Sequence, residues 1–193
     1  STTTLEIARD GTQDHQSNRI VNSQTVNDLQ SGASYYFDDI DDTIILPAGS
    51  NYFGTGDFSQ EFWIKGLVQQ SGILFSTMVT GASPEIYLEI EVNPNGSFYA
   101  HLRDADDNTI SDNLSGTYST TNIGDGNFHH LVFTWKRDGN VAWYLDGVVQ
   151  GSVGIAAMED SDLGGSNAVH LMQRSNGLGE LAGELSKVVF RLL

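Results

Sequence analysis

The feature that most constrains the fold is the stretch from Gly124 to Gly151, which has the pattern of two strands and two turns. Residues 128–136 are mostly β-branched, aromatic or apolar, and residues 141–145 resume that pattern after the turn Arg137-Asp138-Gly139-Asn140. Asp146-Gly147 supplies a second turn, so the sequence predicts a β-hairpin followed by a third strand. Neither face of the hairpin is plainly polar. We therefore expect it to lie in a sheet that packs against another sheet.

The rest of the chain repeats this pattern of short strands and turns. From Ser34 onward, strand signals recur about every ten residues with Gly, Asn or Asp between them, which predicts an antiparallel β-sandwich. The 193 residues include 21 Gly and only 3 Pro, which suits one all-β domain with many tight turns. We therefore expect a single domain over residues 1–193.

The hairpin and its flanks resemble laminin G-like domains of the concanavalin A-like lectin/glucanase superfamily. The segments that carry the resemblance are Asp125-Gly126, His129 to Trp135, Trp143 to Gly147, residues 35–65 and residues 181–190. The resemblance implies a jelly-roll β-sandwich in which residues 1–33 are an N-terminal segment that closes the sandwich near the C-terminal strand. It also implies a structural role for His129-His130.

Composition excludes several classes of function. The chain has 25 acidic and 9 basic residues and a formal charge of −16, which opposes binding to nucleic acid or to anionic membranes. It has no Cys, so disulfides and thiolate chemistry are excluded. No apolar run approaches the roughly 20 residues that a spanning helix needs, so we expect no membrane insertion. Our expectation is an extracellular or surface-associated protein, and the oligomeric state stays open.

One acidic strand raises the question of glycoside hydrolysis. Several hydrolases of the superfamily use an acid-x-acid-x-x-acid strand, because alternate residues of a strand face the same way. Glu89 and Glu91 fit the first two positions, but Pro94 stands where the last carboxylate belongs. A solvated face explains the alternation of Glu85, Tyr87, Glu89 and Glu91 with apolar residues equally well. We therefore predict no catalytic residues.

Two acidic clusters make Ca²⁺ a possible cofactor, because hard cations bind clustered carboxylate and carbonyl oxygens. The resemblance supports this, since related lectin, laminin and pentraxin domains often hold calcium at the rim of the sandwich. The predicted metal ligands are Asp38, Asp39, Asp41 and Asp42. The second cluster begins like an EF-hand loop at Asp104, Asp106 and Asn108, but Thr109 replaces the Gly that such a loop requires.

Sugar binding needs an aromatic platform for the pyranose face and planar polar groups for the hydroxyls. We expect Trp63, Trp135 and Trp143 to pack between the sheets, and the rim loops to determine specificity. The predicted ligand contacts are Asp104, Asp106, Asn108, Gln173, Asn176 and Glu180.

The leading functional hypothesis is a non-catalytic extracellular recognition module that binds a carbohydrate or glycoconjugate. The alternative is a structural or adhesive protein of a cell surface or virion, whose sandwich binds other proteins. A glycoside hydrolase is the third hypothesis.

Overall fold

The computed structural model describes residues 2–5, 19–20, 34–38, 40, 42–46, 53–66, 71–78, 87–94, 98–103, 109–110, 123–160, 167–174 and 176–193. Strands dominate these residues, with one turn of 3₁₀ helix at Ala156–Met158. The strands are β1 (Thr2–Leu5), β2 (Arg19–Ile20), β3 (Tyr35–Phe37), β4 (Ile44–Leu46), β5 (Phe58–Gly66), β6 (Gly72–Ser76), β7 (Tyr87–Val92), β8 (Phe98–Arg103), β9 (Thr109–Ile110), β10 (His129–Trp135), β11 (Asn140–Leu145), β12 (Val148–Gly154), β13 (Val169–Leu171) and β14 (Gly183–Leu192). Within this part of the chain, no helix has the length and hydropathy to cross a membrane.

These strands form two seven-stranded sheets with a common apolar core. The first sheet has the order β1-β14-β5-β10-β11-β12, and β3 also pairs with β14. The second sheet has the order β2-β4-β13-β6-β7-β8-β9. Among the described strands the pairing is antiparallel except between β2 and β4. The predicted all-β antiparallel sandwich is confirmed.

The hairpin forms where the sequence predicts it. β10 and β11 pair antiparallel, with Leu131 opposite Leu145 and Trp135 opposite Val141. The following turn needs positive φ at both central positions, and Asp146 and Gly147 have φ of 51° and 79°. β10 also pairs with β5, so the hairpin extends the centre of the first sheet.

Aromatic residues from both sheets fill the core. The largest side chains that are less than 2% exposed include Trp135, Trp143, Phe58, Phe62, Phe75, Phe133 and Phe190. The Phe58 ring stacks on the Trp135 indole with 5.3 Å between centroids. Trp135 Nε1 donates a hydrogen bond of 3.0 Å to Gln60 Oε1, so the buried indole N–H is satisfied. The prediction that Trp135 and Trp143 are core residues is confirmed.

The prediction for Trp63 is wrong, because this side chain lies on the outer face of the first sheet and is 40% exposed. Along β5, Phe58, Phe62 and Ile64 face the core. Trp63 belongs to the other set of alternate positions, with Glu61 and Lys65, and period-two alternation places that set outside.

The close approach of β12 to β11 provides a test of the packing. A Cβ atom on Gly151 would clash with the indole ring of Trp143, which is only 1% exposed. We expect Gly151→Ala to lower the free energy of unfolding by about 1–3 kcal/mol through overpacking. Gly154→Ala is the matched control, because the nearest atom to its added Cβ is Asn140 Oδ1 at 3.7 Å. Denaturant unfolding checks this, and equal stabilities for the two variants would contradict it.

Candidate functional site

The outer face of the first sheet carries a group of exposed aromatic side chains. Tyr36 on β3, Trp63 on β5 and Phe128 before β10 are 52%, 40% and 39% exposed. The register relates them across the sheet, because Glu184 of β14 pairs with both Tyr36 and Lys65. In the next row, Trp63 pairs with His130 of β10. We refer to Tyr36, Trp63, Lys65, Phe128, His130 and Glu184 as the aromatic patch.

Ring contacts and one ion pair hold the side chains of the aromatic patch. The Trp63 and His130 rings are stacked, with centroids 4.7 Å apart. Lys65 Nζ lies 5.9 Å from the centroid of Phe128 and 2.6 Å from Glu184 Oε1. Ser34 Oγ donates a 2.6 Å hydrogen bond to Glu184 Oε2. The hydrogen bond from Lys65, followed by that from Ser34, lowers the pKa of Glu184. The patch therefore presents aromatic surface beside an oriented cation and anion.

A histidine between two carboxylates supports one side of the aromatic patch. His129 is 6% exposed, its Nδ1 lies 2.8 Å from Asp146 Oδ2, and its Nε2 lies 3.0 Å from Asp125 Oδ1. The backbone N–H of His130 donates a 2.9 Å hydrogen bond to Asp146 Oδ1. We refer to Asp125, His129 and Asp146 as the histidine clamp. Since Phe128 and His130 flank His129, the clamp fixes the backbone that displays them.

Burial lowers the pKa of His129, but the hydrogen bonds that its ring donates to Asp146 and Asp125 outweigh burial, so this pKa is raised above its usual 6.5. Hydrogen bonds from Asn127 and then from His129 lower the pKa of Asp125 to about 2. Burial raises the pKa of Asp146, but the hydrogen bonds from His129 and the His130 backbone leave it lowered overall. The two carboxylates of the clamp thus favour the protonated, imidazolium form of His129, and the imidazole in turn favours their ionised forms.

The raised pKa of His129 makes stability depend on pH. The contribution of the clamp should be fully present below the unfolded pKa of 6.5 and lost as the pH rises through the higher folded pKa. We expect the stability advantage of the wild type over His129→Gln to shrink over that range in denaturant unfolding. The comparison with the variant is necessary because burial lowers the pKa values of His130 and His170, which gives the opposite slope. A constant difference would contradict this assignment.

The outer face of the second sheet carries a polar cluster. The register places Ser76 of β6, Glu89 of β7 and His101 of β8 in one row, and Glu91 follows Glu89 on the same face. Glu89 is 1% exposed, which corrects the prediction that it belongs to a solvated face. Arg174 covers it and donates hydrogen bonds of 2.9 Å from Nε to Oε2 and 2.6 Å from Nη2 to Oε1. Ser76 Oγ donates a further 3.0 Å bond to Oε2.

The rim loop over residues 172–180 contains three of the predicted ligand contacts. Gln173 Nε2 donates a 3.1 Å hydrogen bond to Glu180 Oε1, so these two side chains meet across the loop. Asn176 is exposed, and its Oδ1 accepts the N–H of Leu178 at 3.1 Å, which stabilises the turn. Sequence reasoning missed Arg174, which ties this loop to β7. Its partner Glu89 lies 85 residues earlier, so no local pattern connects them.

The predicted calcium cluster is described in part. The N–H of Asp38 donates to Asp42 Oδ2 at 3.1 Å, and Asp38 Oδ1 accepts the N–H of Ile40 at 3.1 Å. These carboxylates therefore hold the backbone N–H groups of Asp38 and Ile40. The other predicted residues, Asp39, Asp41, Asp104, Asp106 and Asn108, lie outside the described residues. Calcium binding stays a prediction.

The ion pair of Glu89 with Arg174 should matter more than a surface pair. Arg174→Gln leaves a buried carboxylate without its cation, and we expect a loss of about 3 kcal/mol, the low end for buried pairs, because the Arg174 side chain is 30% exposed. Lys136→Gln is the control, since Lys136 and Asp138 are 68% and 59% exposed and should contribute under about 1 kcal/mol. Denaturant unfolding measures both losses, and a loss for Arg174→Gln no larger than the control's would refute the assignment.

The sequence matches a laminin G family model, described as concanavalin A-like lectin/glucanases superfamily, over residues 37–190. The chain belongs to this superfamily. The match includes β5, β10 and most of β14, which carry most of the aromatic patch. No curated protein matches this superfamily member in sequence.

Solved structures with the same fold include three with distant sequences. The binding domain of Paraclostridial Mosquitocidal Protein 1 has a TM-score of 0.54 and 16% identity, over 75% of this chain and 36% of that chain. The botulinum neurotoxin serotype D ligand binding domain in complex with N-acetylneuraminic acid has a TM-score of 0.54 and 16% identity, over 79% of this chain and 37% of that chain. The heptameric SAP-like pentraxin from Limulus polyphemus has a TM-score of 0.51 and 16% identity, over 71% of this chain and 65% of that chain. This superfamily member therefore spans only 36% of the first of these chains.

Proposed function

We propose that this superfamily member is a non-catalytic extracellular recognition module that binds carbohydrate through the aromatic patch. The observation that carries the proposal is the exposed Trp63 in the row next to the Lys65–Glu184 ion pair. Tyr36 and Phe128 extend the same surface.

The chemistry of the patch suits a saccharide. The C–H face of a pyranose packs on an aromatic ring, while its hydroxyls need donors and acceptors in fixed positions. Lys65 donates and Glu184 accepts, and their mutual ion pair and the Ser34 bond hold both groups in place before any ligand arrives. Such preorganisation lowers the entropic cost of binding. The ligand class we propose is therefore a sugar ring of a glycan or glycoconjugate.

Two further observations support binding over hydrolysis. One structural neighbour is a ligand binding domain in complex with N-acetylneuraminic acid, which is a saccharide. Glycoside hydrolysis requires two carboxylates that flank the scissile bond. Both oxygens of Glu89 already accept hydrogen bonds from Arg174, so this carboxylate anchors a loop instead of facing a substrate.

A glycan array with the wild type, Trp63→Ala and Val148→Ser tests the proposal. Val148 is the control, because it is 62% exposed and lies on the edge strand β12, away from the patch. We expect Trp63→Ala to weaken binding by at least about tenfold, which is 1.4 kcal/mol, while Val148→Ser binds as the wild type does. Circular dichroism and thermal unfolding check that both variants are folded.

Running the array with millimolar calcium and again with chelator separates two mechanisms. Binding by the aromatic patch alone survives the chelator, and binding lost with it would place the sugar at the acidic rim loops. A blank array for the wild type, or equal loss in both variants, would overturn the proposal. The structural or adhesive hypothesis, with a protein partner, would then take its place.

A further inference from the structure

The polar cluster on the second sheet contains three donor groups that could share one ion. Single ligand atoms of Glu89, Glu91 and His101 all lie within 4.8 Å of one another, and among the described residues this is the one such group of His, Asp or Glu side chains. His101 Nε2 lies 3.4 Å from Glu91 Oε2. Two ligands about 2.0–2.2 Å from a tetrahedral metal lie about 3.4 Å apart, so this pair already has the spacing of two ligands of one ion.

The backbone fixes where these donors stand. Glu89 and Glu91 are alternate residues of β7, and His101 of β8 lies directly opposite Glu89 in the antiparallel register. All three therefore project from the same face of adjacent strands. Sites on strands hold their geometry better than sites on loops.

Glu89 has the outer contacts that orient a ligating carboxylate. Arg174 and Ser76 donate hydrogen bonds to it, and metal-binding carboxylates are commonly held in this way. Within the described residues Oε1 accepts one hydrogen bond, from Arg174 Nη2, which leaves it a lone pair for an ion. The side chains of Glu91 and His101 are 29% and 26% exposed, so an ion reaches them from solvent.

The charges also favour a cation. Two carboxylates and one guanidinium leave the cluster with one net negative charge when His101 is neutral. The whole chain carries −16, which raises the local concentration of cations. The imidazole nitrogen selects the kind of ion, because Ca²⁺ and Mg²⁺ prefer all-oxygen sites, whereas Zn²⁺ binds both His nitrogen and carboxylate oxygen.

We propose that Glu89, Glu91 and His101 bind one divalent transition-metal ion of the zinc class on the outer face of the second sheet. Three protein ligands leave a fourth position for water or for an oxygen or nitrogen donor of a ligand. This site differs from the predicted calcium clusters and does not depend on the aromatic patch of the other sheet.

Isothermal titration calorimetry with Zn²⁺ tests the proposal on the wild type and on four variants, His101→Ala, Glu91→Gln, Ser76→Ala and His170→Ala. His170 is the control, because it lies on the same face, opposite Ser76, but outside the group of three. We expect one Zn²⁺ per chain for the wild type and for His170→Ala. His101→Ala and Glu91→Gln should each weaken binding by at least about tenfold, and Ser76→Ala, which removes an orienting hydrogen bond, by about tenfold.

No measurable Zn²⁺ binding by the wild type would overturn the proposal, as would equal losses in His101→Ala and His170→Ala, which would indicate scattered surface histidines. A Ca²⁺ titration that competes with Zn²⁺ at the same stoichiometry would also count against it. Thermal unfolding with and without Zn²⁺ gives a second readout, since an ion that binds only the folded state raises the midpoint. None of these measurements uses a glycan. A failure of the metal proposal is therefore distinguishable from a failure of the proposed function.

Discussion

Period-two alternation along β5 is the constraint on which the rest of the molecule depends. β5 lies between β14 and β10 in the first sheet. One set of its side chains is fully buried and builds the core: Phe58, Gln60, Phe62 and Ile64. The other set places Trp63 and Lys65 on the outer face, where they form the centre of the aromatic patch. A shift of one residue in register would exchange the two sets. The register that buries the apolar side chains is therefore the one that exposes Trp63 and Lys65.

The two outer faces of the sandwich use charge in different ways. On the first sheet, the Lys65–Glu184 pair has side chains that are 31% and 26% exposed, so solvent screens it and it contributes little to stability. On the second sheet, Glu89 is almost fully buried under Arg174, where loss of either partner leaves an uncompensated charge. The first arrangement leaves polar atoms accessible to a ligand. The second fixes Arg174, which follows β13, against the sheet.

The fold could be predicted from the sequence because its strongest signals are local. The hairpin of β10 and β11 combines strand-forming residues with turns whose chemistry is specific. The alternation of β5 also predicts the outward position of Trp63, since Trp63 shares its face with Glu61 and Lys65, but the usual burial of large aromatic residues favours the opposite position.

The candidate sites could not be predicted in the same way, because they depend on contacts between distant segments. Arg174 meets Glu89 across 85 residues, and Lys65 meets Glu184 across 119. Strand order and register decide such contacts, and the sequence near these residues indicates neither of them. Loop composition favours Gln173 and Glu180, whose side chains do meet, but it gives no indication that Arg174 binds Glu89 of β7.

The position of β14 has a kinetic consequence. β14 pairs with β5 and also with β1, where Thr2 lies opposite Arg191. The β1–β14 edge of the first sheet therefore joins segments from the two ends of the described chain, and the loop-closure entropy of these pairings is paid before the core gains from them. Folds of such high contact order form in milliseconds to seconds, whereas helical bundles form in microseconds to milliseconds. On a ribosome, β5 and β10 emerge well before β14, so one edge of β5 stays unpaired and open to aggregation until β14 has been synthesised.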